Sequence, residues 1–299
     1  MIIDIRYHIA SLVAVFLALG LGILIGSALL GNDALINEQE KIISRLEKEF
    51  DRLKAEQKSK EELVREKDNL LAIDQRFSKA VLPTILNGKL ADRRIAIIRS
   101  NDSTDLQISK DLSNIFKAAG ADVSVVATIK KWPNLSDPVE RQATAQVFGL
   151  NPTKSHWMEE LFSTIIEELS LGRPSPLLTS LQNQDYFAMN NIENHGPVDT
   201  IVFLGGENIA DNIQNKRIDL YMIDAAKRAG LTVVGAEPAK TPVSYMGSYR
   251  KKGLTTVDNI DMAPGQVALV LALADGKRGD YGIKEGAKLL MPEVNVNKH

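Results

Sequence analysis

A chain of 299 residues with 36 Lys and Arg against 38 Asp and Glu has no basic excess to hold nucleic acid, and its 44 % hydrophobic content suits globular material plus one anchor. Its length predicts about two folded units. It contains no cysteine, which excludes disulfides, thiolate metal sites and a cysteine nucleophile, and which suits an exported domain.

The first eight residues, MIIDIRYH, read as a short tail. From Ile9 to Leu30 no side chain is charged. That run of about 22 residues makes roughly 33 Å of helix, enough for a hydrocarbon core of about 30 Å. Residues 9–31 are therefore expected to cross a membrane once. Two other readings exist. A cleaved signal peptide would use the small-x-small site Gly26-Ser27-Ala28, but its apolar region runs to only about 7–15 residues behind a basic start. A buried core helix would want helix breakers sooner. Small residues recur at every fourth position (Ala10, Ala14, Ala18, Gly22 and Gly26), a row that lets two such helices approach closely. Arg6 precedes the span, whereas Asp33, Glu38 and Glu40 come before the first basic residue after it, Lys41. This favours a cytoplasmic amino terminus and an extracytoplasmic body.

Residues 32–82 lack Gly and Pro and are dense in Glu, Lys, Arg, Gln and Leu. Heptads place Ile36, Ile43, Phe50, Val64 and Leu71 at one core position and Leu46 and Leu53 at the other. The pattern predicts a coiled-coil stalk with a register break near Gln57, about 50 residues and roughly 75 Å long. A single solvated helix packed on its own domain is the competing reading. Pro83 and Asn87-Gly88 are expected to end the segment.

Residues 90–292 alternate short apolar strands with helices. Strands are expected at 94–99, 123–129, 200–204 and 231–235, with an edge strand at 255–258. Helices are expected at 106–119, 217–229 and 265–274. This rhythm implies an α/β, mostly parallel, three-layer Rossmann-like sheet with helices on both faces. Residues 130–198 break the rhythm and read as a mostly helical insertion with one helix at 157–169.

In such sheets ligands sit beyond the carboxyl ends of the strands. The residues expected there are Ser100, Asn101 and Asp102, then Gly205, Gly206, Glu207 and Asn208, then Glu237. Asp102, Glu207 and Glu237 in one pocket could hold a cation or exchange protons; polar loops that merely close strands are the plainer reading. No dinucleotide, phosphate-loop, nucleophile-elbow or HExxH motif is present. For copper, which takes imidazole and thioether ligands, the candidates are His156, Met158 and His195, with no MxxM or HxH pattern to support them.

The opening MIIDIRYHIASLVAVFLALGLGILIGSALLG resembles the amino terminus of MctB-like proteins, a copper-transporter family that includes the cell-division protein SteB. The run TTVDNIDMAPGQVALVLALADGKRGDYG, from Thr255, resembles its carboxyl-terminal signature. The resemblance implies either copper efflux or homeostasis in the envelope, or a bitopic partner of a cytoplasmic SteA-like protein in division and wall assembly. One membrane helix offers no aqueous path alone, and the chain lacks the alternating strands of about ten residues that a membrane barrel needs. The expectation is a non-enzymatic, membrane-anchored, dimeric envelope scaffold with no cofactor. Its tail, with Asp4, Arg6 and Tyr7, would meet a cytoplasmic partner. Copper homeostasis is the rival, and an extracytoplasmic ligand-binding or enzymatic domain is third.

Overall fold

The computed structural model describes residues 5–102, 105–130, 132–190, 196–207 and 213–293, and of 29–34 and 213–217 the backbone only. The chain divides into two compact units, Met1–Ile73 and Asp74–His299.

The first unit is helical. Helix α1 (Ile5–Leu86) begins in it and has no interruption where apolar sequence gives way to charged sequence. Its segment Ile5–Ala28 is long and apolar enough to cross a membrane, with none of its surface buried inside the fold. Ala10, Ala14, Ala18 and Gly22 lie open, and a methyl group added at Gly22 or Gly26 would meet nothing within 4 Å. Further along, Ile36, Ile43, Leu46, Phe50, Leu53, Val64 and Leu71 are all exposed. So are Leu63, Leu70 and Ile73.

In the second unit α1 ends later than the sequence suggested. Pro83 lies inside the helix, and termination falls at Leu86, where Gly88 turns the chain at φ +72°. A proline this near the end forfeits only one of the last backbone bonds. The gain is burial: Leu82 and Leu86 enter the core of the α/β unit.

The elements that follow are β1 (Arg94–Arg99), α2 (Leu106–Ala118), β2 (Asp122–Ile129), α3 (Pro138–Val147), α4 (Trp157–Ser170), α5 (Pro176–Asn183) and β3 (Phe187–Met189). Then come β4 (Thr200–Leu204), α6 (Ile213–Arg228), β5 (Thr232–Ala236), α7 (Met246–Lys251), β6 (Thr255–Val257), α8 (Ala263–Asp275) and β7 (Asp280–Tyr281). They form one sheet in the order β3-β2-β1-β4-β5-β6-β7. All pairs are parallel except β2 with β3.

The strands are short apolar runs because both sheet faces are covered. Ile95, Ile97, Val202 and Leu204 point to one face, under α2, α8 and the end of α1. Ala96, Ile98, Ile201 and Phe203 point to the other, under α4, α5, α6 and α7. The mixed α/β class, the apolar amino-terminal helix and the mostly parallel sheet agree with the sequence reading. Three features differ. Residues 255–257 are not an edge strand, because β7 pairs outside them. The insertion is mostly helical and carries the expected helix as α4, but also α3, α5 and β3, which extends the sheet in the opposite direction. Helix α7 is an additional element, and it lies at the site described next.

Candidate functional site

From β1 the chain moves to β2 on one side of the sheet, and it later returns to β4 on the other. The connections leaving β1 and β4 therefore diverge and open a crevice at their carboxyl ends, the usual place for a ligand in parallel sheets. Here the walls are Ser100 and Asn101 after β1, Gly205 to Glu207 after β4, and Glu237 after β5. Ser100, Asn101, Glu207 and Glu237 are buried.

The crevice is occupied by the protein itself. Tyr245, which starts α7, and Tyr249, one turn later, are both fully buried and cross edge to face with ring centroids 6.1 Å apart. Two glycines make the space. A Cβ on Gly235 would lie 2.4 Å from Tyr249 Cδ2, and one on Gly205 would lie 2.8 Å from the Tyr249 hydroxyl and 3.0 Å from Tyr245 Cβ. Only residues without a side chain allow a ring this close to the strand ends.

Three carboxylates hold this plug. The Tyr245 hydroxyl donates to Glu207 Oε2 at 2.8 Å. Glu237 accepts the Tyr245 backbone N–H at 2.9 Å, the Ser244 hydroxyl at 2.6 Å and the Lys284 ammonium at 2.7 Å. From α6, Asp219 Oδ2 accepts the Tyr249 hydroxyl at 2.6 Å. With its single proton committed there, Tyr249 accepts from Ser100 Oγ at 3.0 Å. Asn101 ties β1 to β4 by donating to the Gly206 carbonyl at 2.9 Å. Glu207 also pairs its backbone with Val243, 3.0 Å in each direction, fastening the loop that leads into α7.

Burial dominates the electrostatics. It pushes Asp219 up to about 7, with Glu207 nearby adding to the rise and the Ser100 and Tyr249 hydroxyls opposing it. Burial also raises both tyrosines well above their ordinary range, so both stay protonated donors. The second oxygen of Asp219, Oδ1, is buried without a hydrogen-bond partner.

Of the residues expected around one pocket, Gly205, Gly206, Glu207 and Glu237 do converge, but on the tyrosine plug instead of on open space. Asp102 does not join them. It lies exposed and pairs with Lys130. Asn208 lies outside the described residues. Sequence reasoning missed Tyr245, Tyr249 and Asp219. The available signal was two tyrosines four apart beyond a strand, facing glycines on neighbouring strand ends, and it is faint.

The copper candidates are apart. His156 starts α4 with its side chain 80 % exposed, 3.6 Å from Glu159. Met158 lines a separate cleft with Trp132 and Tyr221, and His195 lies outside the described residues. Among the described residues no three His, Asp or Glu side chains converge as metal ligands.

Comparison with known proteins matches the chain almost end to end. A family model described as copper transport outer membrane protein, MctB, covers residues 2–292. Proteins named copper transporter MctB from Mycobacterium tuberculosis and Mycobacterium bovis are 22 % identical over 315 aligned positions, spanning 95 % of this chain and 98 % of theirs. The Mycobacterium leprae protein of the same name is 21 % identical over 318 positions, with the same coverage.

Proposed function

The chain belongs to the MctB family, and from that premise we propose that it is a non-enzymatic, single-pass envelope protein that acts as a dimeric scaffold. The observation that carries this reading is the filled crevice. The place where a sheet of this kind would take a substrate is occupied by Tyr245 and Tyr249, whose hydroxyls are both satisfied internally. The divergent connections at that crevice are those of a Rossmann-like, doubly wound sheet, used here without its usual ligand space.

The long helix carries the association. Its exposed heptad positions from Ile36 to Leu53, continued by Val64 and Leu71, form the seam of a parallel coiled coil, and the small-residue row in the membrane span lies on the same helix. The sparse positive charge after the span supports an amino terminus in the cytoplasm, where the tail would meet a SteA-like partner, with the α/β unit outside.

Copper homeostasis is the second reading, favoured by the family description and by the relatives' names. One experiment separates the two. The full chain in lipid nanodiscs is titrated with Cu(I) and Cu(II) while its mass is followed by light scattering. A dimer that binds no copper tighter than about 1 μM, roughly −8 kcal/mol, supports the scaffold. The double variant Leu46→Asp, Leu53→Asp should then run as a monomer. Stoichiometric copper binding would put homeostasis first, with His156, Met158 and His195 as the first variants. A dimeric double variant would refute the coiled coil.

A further inference from the structure

Helix α7 is a single short helix of six residues; the Tyr245 side chain does not cap it, and its first N–H, that of Met246, is held only by the Ser244 hydroxyl at 3.2 Å. It meets the sheet through two rings lying on glycines, and its deepest anchor is a carboxyl group with half of its hydrogen-bonding capacity unmet. Such an atom costs free energy in the closed state, and much more when it carries charge. We propose that α7 is a releasable plug and that Asp219 is the proton-linked latch that keeps it in the crevice.

The groups that face the Asp219 carboxyl are few. Tyr249 comes from α7 and Tyr245 from its start, Ser100 from the end of β1, and Glu207 from the end of β4. The buried residues of α4, which packs on α6, are all apolar. Among the described residues no cation from these elements reaches the latch. Lys284 is bound to Glu237 and to the Pro238 carbonyl. An ionised Asp219 therefore has one direct hydroxyl donor, Tyr249, with the Ser100 hydroxyl behind it also favouring the charge, and Glu207 as an unfavourable neighbour. Its bare oxygen can be hydrated only if something moves, and α7, whose Tyr249 bonds the other oxygen, is the short element in contact with this carboxyl.

The direction of the pH effect follows. Closed, the carboxyl titrates near 7; released into water it would titrate near the ordinary 3.8. The closed state holds its proton where the open state has lost it, so opening becomes easier as pH rises between those two values and levels off above 7. The plug is tightest in acid and loosest at neutral pH. Releasing it would uncover Gly205, Gly206 and Glu207, converting a filled crevice into an open one without unfolding the sheet.

The test is amide hydrogen exchange on the full chain in nanodiscs, with rates corrected for the intrinsic pH dependence of exchange. Peptides covering residues 244–251 should be at least roughly tenfold less protected at pH 7 than at pH 5, while β1 and β4 keep their protection. Asp219→Asn should abolish that step. Ser100→Ala, a small change that removes one hydroxyl holding the charge, should extend the step to higher pH, and it keeps the test decisive if Asp219→Asn does not fold. Equal protection at both pH values, the same step in Asp219→Asn, or a loss shared by β1 and β4 would each overturn the proposal.

Discussion

Phe50 and Tyr249 are aromatic residues of similar size in opposite circumstances. Phe50 stands 67 % exposed on a helix whose apolar positions from Ile36 to Ile73 are open, whereas Tyr249 is fully buried with its hydroxyl both donating and accepting. The difference separates two ways of using apolar surface. In the α/β unit the large described side chains at the crevice, Tyr245 and Tyr249, are consumed by the fold. On the long helix a row of Ile, Leu, Val and Phe is left unused by its own chain. Exposed apolar surface arranged in a regular row marks interaction, while the same surface turned inward marks stability. The proposed scaffold role accordingly rests on the exposed row of the helix and not on the sheet.

The comparison is tested most severely by truncating those two rings. Tyr249→Ala should cost the α/β unit about 3–5 kcal/mol, because it empties a packed site and strips Asp219 of its hydroxyl donor. Phe50→Ala should change that same unfolding transition by less than about 0.5 kcal/mol while weakening dimerisation. Denaturant unfolding of both variants, read beside their mass in solution, checks the pair. A stability loss of similar size in both would erase the distinction drawn between the two regions.

A smaller effect probes how firmly the crevice is locked from its far side. Lys284 donates to Glu237, which is fully buried and also accepts from Ser244 and from the Tyr245 backbone. Removing one member of a buried pair leaves the other charge uncompensated, a cost of about 3–5 kcal/mol in a dry interior. Because the Lys284 side chain keeps 19 % exposure and Glu237 retains two other donors, Lys284→Ala should cost about 2 kcal/mol. Thermal unfolding of that variant measures it. A change below about 0.5 kcal/mol would mean that Glu237 is held by its neighbours alone.

Much of this arrangement was legible beforehand. Apolar runs such as RIAIIR and TIVFL can only be buried strands, and Gly120 and Gly230 follow their helices as stop signals. What was hidden depended on distance in sequence. Nothing local distinguishes the six residues of α7, because MGSYRK carries a glycine and no apolar stripe; it is helical where Tyr245 and Tyr249 find Gly205, just after β4, and Gly235 on β5. The two-residue β7 is too short for any alternation to show, so 255–258 read as an edge. Pro83 read as a stop because proline usually is one, and burial of Leu86 carried the helix past it. The three acids Asp102, Glu207 and Glu237 shared one expected role because all three follow strands, and strand ends alone do not say which loop turns inward.

That last point carries the smallest and most discriminating prediction. Asp102 sits two residues beyond Ser100, yet its side chain is 51 % exposed and its partner Lys130 is 33 % exposed. Exposed pairs of this kind are screened by water and are worth about 0.2–1 kcal/mol at most. Asp102→Ala should therefore lower stability by no more than about 0.5 kcal/mol, and added salt should shrink even that difference. Glu207→Ala removes the acceptor of a buried tyrosine hydroxyl and should cost about 1–3 kcal/mol, with little response to salt. The ratio between the two variants, measured in one denaturant series at low and high salt, reports which acids belong to the crevice. Equal losses would return Asp102 to the site and reopen the shared pocket that its position in the sequence suggested.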